Sequence, residues 1–265
     1  VSGSRRGRQA DSGLLLVMGE VADSASGFEV AFLSAGQEVR RPLSEARSIA
    51  FERVEPVRSF PSFKGQRNFP GLWWSATSGR HVGFESWLER DHAMLLDFDP
   101  DVVEFTSQPF WLFWPGETRR RSHAPDWFAR LRDGSAVVLD SRPAARIRER
   151  DAHAFEQTAA ACRAVGWQYR LWHEPDPIRS ANLRWLAGYR HPRHHIAEIS
   201  EAVLEVFSIP AELMAGAGEI GDPIRVLPMV FHLLWKQVLS ADLQFPLSEA
   251  SIVAPGREYV GVGQS

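Results

Sequence analysis

The chain has 265 residues, 44% of them hydrophobic and 24% charged, with 30 basic and 33 acidic side chains for a formal net charge of −3. These values are globular averages, so disordered, collagen-like and disulfide-scaffold classes are excluded and one or two domains are expected. Lys64 and Lys236 are the only lysines; nearly every cation is an arginine, which keeps its proton and cannot act as a base. One cysteine, Cys162, excludes an internal disulfide and a thiolate metal cluster and points to a reducing, cytoplasmic setting. The apolar run at 14–18 stops at Gly19-Glu20, too short for a signal-peptide core, and no later stretch reaches the ~18 apolar residues of a membrane span.

In chain order, residues 14–18 and 28–33 suit short strands in a β-rich stretch, and 59–65 is punctuated as a loop. The pattern turns helical over 84–97, with Phe84, Trp87, Leu88, Asp91, His92 and Leu95 on one face and Pro100 as a stop. Extended segments follow at 102–107, 110–114, 124–131 and 135–140, and Asp133-Gly134 between the last two predicts a hairpin. A second helix over 147–165 ends on Gly166 and leads into a strand over 167–172. Strand, helix, strand at this spacing is a βαβ crossover, which makes the two strands parallel neighbours. The class is α/β, a mixed sheet flanked by helices.

Pro175, Pro177 and the basic run 190–195 mark a shift in composition. Beyond it, Ile196, Ile199, Val203, Val206 and Phe207 form one amphipathic stripe, and Leu227, Phe231, Leu234, Trp235 and Val238 another. A tail over 242–253 with extended stretches completes a small helical domain with a β-wing. The division is therefore 1–80 as a β-rich segment, 81–178 as the α/β core and 179–265 as a winged-helix-like domain. Charge is uneven: residues 116–150 hold nine arginines against five acids, and 196–265 hold three basic residues against nine acids. A phosphate-binding surface is expected in the first two thirds, whereas the acidic end suits a protein partner better than DNA reading.

Four features of the core carry possible chemistry. Glu85 and Glu89 stand four apart on the first helix, Asp126 follows Pro125 at a strand start, and Asp140 and Arg142 alternate across Ser141 at the end of the next strand. Singly, a solvated helix face, a turn cap and a strand-end ion pair account for them. Jointly, adjacent strands ending in carboxylates offer two hard oxygen ligands to one divalent ion, a set that suits Mg²⁺. His123 either caps a turn or meets a phosphate, and Arg119, Arg120, Arg121 and Arg146 either neutralise a polyanion or form a solvated face. His191, His194 and His195 lie among Arg190 and Arg193 with no cysteine or carboxylate spaced to complete a metal site, and read as a basic linker.

The runs Phe84-Glu-Ser-Trp-Leu-Glu89, Leu95-Leu-Asp-Phe-Asp-Pro-Asp-Val102, Ser107-Gln-Pro-Phe110, His123-Ala-Pro-Asp126 and Val137-Val-Leu-Asp-Ser-Arg142 occur in that order. In this they resemble the TnsA-type endonuclease subunit of heteromeric Tn7-like transposases, within the PD-(D/E)xK nuclease superfamily. The resemblance covers 84–172 well, the C-terminal third loosely and the first 80 residues weakly. It implies a restriction-endonuclease-like fold and Mg²⁺-dependent hydrolysis of DNA at the 5′ ends of a transposon, with Mn²⁺ able to substitute. The implied partners are double-stranded transposon ends, an integrase-type transposase and an AAA+ ATPase regulator, with no membrane. By the resemblance Glu89 matches the helix glutamate, with Glu85 as fallback, Asp126 the central metal-binding aspartate and Asp140 the second acidic position; His123 and Gln108 are further candidates. Arg142 stands where the family usually has lysine; arginine can hold a phosphate oxygen but cannot take a proton. Two alternatives stay open: a catalytically silent nuclease-fold scaffold in a transposition complex, and an autonomous restriction or repair nuclease.

Overall fold

The computed structural model describes Ala25 and residues 27–58, 69–116 and 120–259. The predicted strand at 14–18, the loop at 59–65 and Arg119 lie outside the described residues. The protein is a mixed α/β fold. Its elements are β1 (Glu29–Ser34), β2 (Gln37–Pro42), β3 (Gly71–Trp74), β4 (His81–Phe84), α1 (Trp87–Phe98), β5 (Val102–Ser107), β6 (Trp111–Trp114) and β7 (Arg121–His123). They continue with β8 (Trp127–Leu131), β9 (Ala136–Ser141), α2 (Glu149–Ala164), β10 (Gln168–Trp172), α3 (Pro177–Ala187) and α4 (Ala197–Val206). The C-terminal part adds β11 (Ala211–Glu212), α5 (Leu213–Ile220), α6 (Pro223–Trp235), β12 (Leu239–Ala241) and β13 (Ile252–Pro255).

Contacts divide the chain into two discontinuous units. The first takes Val1–Ser59, Phe105–Asp140 and Ala145–Leu171; the second takes Phe60–Glu104, Ser141–Ala144 and Trp172–Ser265. In the first unit β1 and β2 pair antiparallel around Ala35-Gly36, both at positive φ (50° and 74°), the backbone a two-residue hairpin demands. β6 adds beside β1 and β7 beside β6, giving a sheet of order β2-β1-β6-β7. The core gathers around the fully buried Phe51, whose ring meets those of Phe32, Phe110, Phe128 and Trp167 at 4.8–5.7 Å, mostly edge-on. Such contacts add about 0.5–1.5 kcal/mol each beyond area burial, and they fix strands β6 and β8 and the entry to β10.

A further sheet has the order β10-β9-β8-β5, with β8 and β9 antiparallel. Its hairpin turns through Asp133-Gly134 as the sequence predicts: Gly134 has φ 84°, and the Asp133 carboxylate accepts the Ser135 N–H at 2.8 Å. α2 ends with Gly166 at φ 75°, the Gly166 N–H donating to Arg163 C=O and the Trp167 N–H to Cys162 C=O, a Schellman closure. β10 lies beside β9, where a crossover from β9 through α2 delivers it.

In the second unit, β3 and β4 form a hairpin whose turn wraps the Asp97 carboxylate. That carboxylate, wholly buried, accepts from Trp73 Nε1 (2.9 Å), Ser75 Oγ (2.8 Å), Ala76 N–H (3.0 Å) and Thr77 N–H (2.8 Å). The predicted helix over 84–97 begins three residues later than expected, because Ser86 caps it; Trp87 faces solvent, and His92, Ala93, Met94, Leu96 and Asp97 form the buried side. The C-terminal stripes fold as expected, with Val203 and Phe207 buried and the second half of α6 enclosed almost all round. α3 and α5 were not anticipated. α3 follows an Asp176 cap and Pro177 at its first turn, and α5 comes so close to Phe207 that Gly216 leaves no room for a Cβ. From α4 onward the order is helix, strand, two helices and two strands, with a sheet of order β11-β13-β12.

Candidate active site

Within the first unit the β8–β9 register sets Trp127 opposite Leu139, which brings Asp126, one residue before β8, to the level of Asp140. The Asp140 carboxylate is 1% exposed and collects three donors. Oδ1 accepts from His123 Nε2 at 2.9 Å and from the Asp126 N–H at 3.3 Å, and Oδ2 accepts the Tyr169 hydroxyl at 2.8 Å. His123 sits on β7 rather than in a turn, its ring edge-on to Phe155 at 5.8 Å. Burial pushes the Tyr169 hydroxyl far up, and the Asp140 charge, with a smaller push from Asp126, adds to it. Burial and Asp140 likewise push the Cys162 thiol up, which leaves it an inert core residue.

Gln108 follows β5 with φ 46°, a left-handed conformation rare for a side-chain-bearing residue. Its N–H donates to Asp126 C=O and its C=O accepts the Val57 N–H, both at 2.9 Å. Its side chain is fully buried, and neither amide atom has a partner. Backbone strain and an unsatisfied buried amide together are costly, and such costs concentrate at functional positions.

Within the second unit Glu85 and Glu89 do not share a helix face. Glu85 precedes the cap, and Glu89 is the third residue of α1. Ser86 Oγ accepts the Glu89 N–H (3.2 Å) and donates to Glu89 Oε1 (2.8 Å), while Glu89 Oε2 accepts the Glu85 N–H (2.8 Å). Ser86 and Glu89 thus form a variant of the capping box, the glutamate reaching the N–H one residue before the cap. Burial raises the Glu89 carboxyl from its ordinary value against the lowering effect of the hydrogen bonds from the Glu85 N–H and the Ser86 hydroxyl; the Glu85 charge adds a smaller push and Arg142 a smaller pull. Arg142 follows β9 directly, its N–H donating to Trp172 C=O and its C=O bonded to His173 Nδ1.

No protein-family model matches the chain, and no curated protein matches it.

The donor set bears on the implied metal. Among the described residues no group of three or more His, Cys, Asp or Glu side chains is placed to hold an ion. Two neighbouring carboxylates are the protein share of a typical Mg²⁺ site, which keeps waters and substrate oxygens for the rest, so the chemistry of the pair fits Mg²⁺ and does not fit a closed zinc site. The candidate backbone arginines divide. Arg120 is paired with Glu29 at 2.8 Å, whereas Arg121 and Arg146 are exposed. No helix among the described residues is long and apolar enough to cross a membrane.

Two positions escaped the sequence reading. Tyr169 lies inside a strand, 29 residues from Asp140, with no motif around it. His92 is buried in α1, its Nδ1 taking the Ser141 hydroxyl at 2.7 Å and its Nε2 donating to His173 C=O at 2.8 Å.

Proposed function

We propose that the chain is a metal-dependent DNA endonuclease, the strand-cutting subunit of a TnsA-type heteromeric transposase. In this reading it has a restriction-endonuclease-like core and a winged-helix-like C-terminal domain. The observation that supports it most is the pairing of Asp126 with Asp140 across the β8–β9 hairpin, directly before a crossover helix. The order of elements from α4 to β13, with β13 central in the small sheet, is the order of a winged-helix domain.

Asp126 and Asp140 would hold Mg²⁺, and the resemblance adds Glu89. The bound ion would polarise the scissile phosphate and lower the pKa of its water. Tyr169 and His123 fix the Asp140 carboxylate in one orientation before substrate arrives. Arg142, as a permanent cation two residues beyond Asp140, binds a phosphate oxygen and stabilises charge in the transition state but moves no proton. The substrate in this reading is the double-stranded transposon end, and the partners are an integrase-type transposase and an AAA+ ATPase.

One observation favours a second reading, the silent scaffold: the Asp140 carboxylate is enclosed and already holds three internal hydrogen bonds. Nicking of end-containing DNA in Mg²⁺ or Mn²⁺, with the partner proteins added, separates the two. Cleavage that falls at least about 100-fold in Asp126→Ala supports the nuclease. Absence of any metal-dependent cleavage in the assembled complex establishes the scaffold, and cleavage without partners establishes an autonomous nuclease.

A further inference from the structure

The basic run 190–195 is left unused by the proposed chemistry, and the structure gives it a definite form. Arg190 is an anchor: its Nε donates to Trp74 C=O at 2.9 Å, its guanidinium lies 4.1 Å over the Trp73 ring, and it stands 4.0 Å from Asp97. Beyond that anchor the chain makes a short 3₁₀ turn, Pro192–His194, with His191, Arg193 and His195 exposed. The His191 ring packs against Trp74 at 4.7 Å, tilted by 34°, and its Nδ1 accepts the Arg193 N–H at 3.1 Å. Arg193 Nε donates to His194 Nε2 at 3.2 Å, and the His194 ring meets Tyr189 edge-on at 5.2 Å.

α6 supplies the other side. His195 packs edge-on against His232 at 6.1 Å, His232 Nδ1 bonds Tyr189 C=O at 2.8 Å, and the exposed Lys236 follows the end of the helix. Burial and the neighbouring Arg193 and His191 hold His194 low; burial, His195, Lys236 and His194 do the same to His232. Among the described residues no carboxylate pairs with Arg193, His194, His195 or Lys236. Arg193 and Lys236 are exposed cations with no carboxylate paired to them among the described residues, an arrangement that suits an anionic partner.

We propose that His191, Arg193, His194, His195 and Lys236 form a binding site for the phosphate backbone of duplex DNA, with Arg193 and Lys236 as permanent cations and the imidazole N–H groups as hydrogen-bond donors to phosphate oxygens. The site rests on the reading of the protein as one that acts on DNA. It is sequence-independent: a non-specific grip that positions the duplex and carries no base readout. The charged and titratable groups facing the histidines are Arg193 on their own turn, His232 and Lys236 from α6, and Tyr189 after α3. Asp97 of α1 is engaged by its own ring of donors and by Arg190.

The test is fluorescence anisotropy of a labelled 20-base-pair duplex with the full chain in EDTA, over a salt series at pH 8.0. Arg193→Ala combined with Lys236→Ala is expected to lower the slope of log affinity against log salt by close to two, one per lost phosphate contact. His191→Ala combined with His195→Ala is expected to weaken binding about threefold to tenfold with the salt slope unchanged, because it removes hydrogen-bond donors and no permanent charge. Thermal unfolding of each variant checks that the turn still folds. Wild-type binding with an unchanged salt slope in the first variant and an unchanged affinity in the second overturns the site and leaves the nuclease reading standing. A wild type that neither binds nor cuts DNA overturns both.

Discussion

Glu89 is asked to do two things, and its substitution distinguishes them. Truncation in Glu89→Ala removes the acceptor of the Glu85 N–H and of the Ser86 hydroxyl at the start of α1. A lost cap costs about 1 kcal/mol and a lost bond to a charged group somewhat more, so the expected destabilisation is about 1–2 kcal/mol. For a chain of this size that lowers the melting temperature by roughly 2–8 °C. Glu89→Gln keeps an acceptor in the same place, since glutamine also completes a capping box, and should unfold within about 0.5 kcal/mol of wild type. It removes only the charge.

The pH dependence follows from the same burial. A carboxyl raised above its ordinary 4.5 contributes stability that is complete below that value and is lost as pH rises through its folded pKa. Wild type should therefore lose stability relative to Glu89→Gln as pH rises above 4.5. Urea unfolding at several pH values, beside nicking assays, reads both roles. Unchanged stability in Glu89→Ala refutes the capping role, and full cleavage by Glu89→Gln refutes the catalytic one.

Other expectations concern the supports of the site. Tyr169→Phe removes one of three donors to Asp140 and should cost about 1.5–3 kcal/mol, the range for a hydrogen bond to a charged group; an unchanged urea midpoint would show that the hydroxyl holds nothing. His92 is kept neutral by burial, below its ordinary 6.5, so its share of stability is present above pH 6.5 and is lost as pH falls toward the folded value. Unfolding midpoints at pH 7.5 and 5.5 should diverge more for wild type than for His92→Gln, and equal divergence would refute that assignment. Gly216→Ala would place a Cβ 2.6 Å from the buried Phe207 ring, an overpacking expected to cost about 1–3 kcal/mol despite alanine's better helix propensity. A more stable variant would show that the ring moves aside freely.

Local signals made the strands around Asp133-Gly134 and the close of α2 at Gly166 legible, because turn and cap chemistry is written in adjacent residues. The start of α1 was equally available: Ser86-Trp-Leu-Glu89 spells a capping box, yet reading Glu85 and Glu89 as two carboxylates on one helix face obscured it. Asp176-Pro177 announced α3 in the same way. Tyr169, the His92–Ser141 pair and the bare amide of Gln108 were not legible. Each depends on partners brought together by sheet pairing or packing, at separations where no residue pattern repeats.

The interleaving of the two units shapes how the protein is made. Ala31 on β1 pairs with Trp111 on β6, and the intervening chain includes 69–104, which belongs to the other unit. At about 5–20 residues per second the ribosome delivers that partner strand some 4–16 s after β1 emerges. Through that interval the β1–β2 hairpin offers an unpaired edge to any other nascent chain. Synthesis, then, is when this protein most needs a chaperone. Slowing translation across 69–104 should lower its soluble yield without altering a single contact of the finished fold.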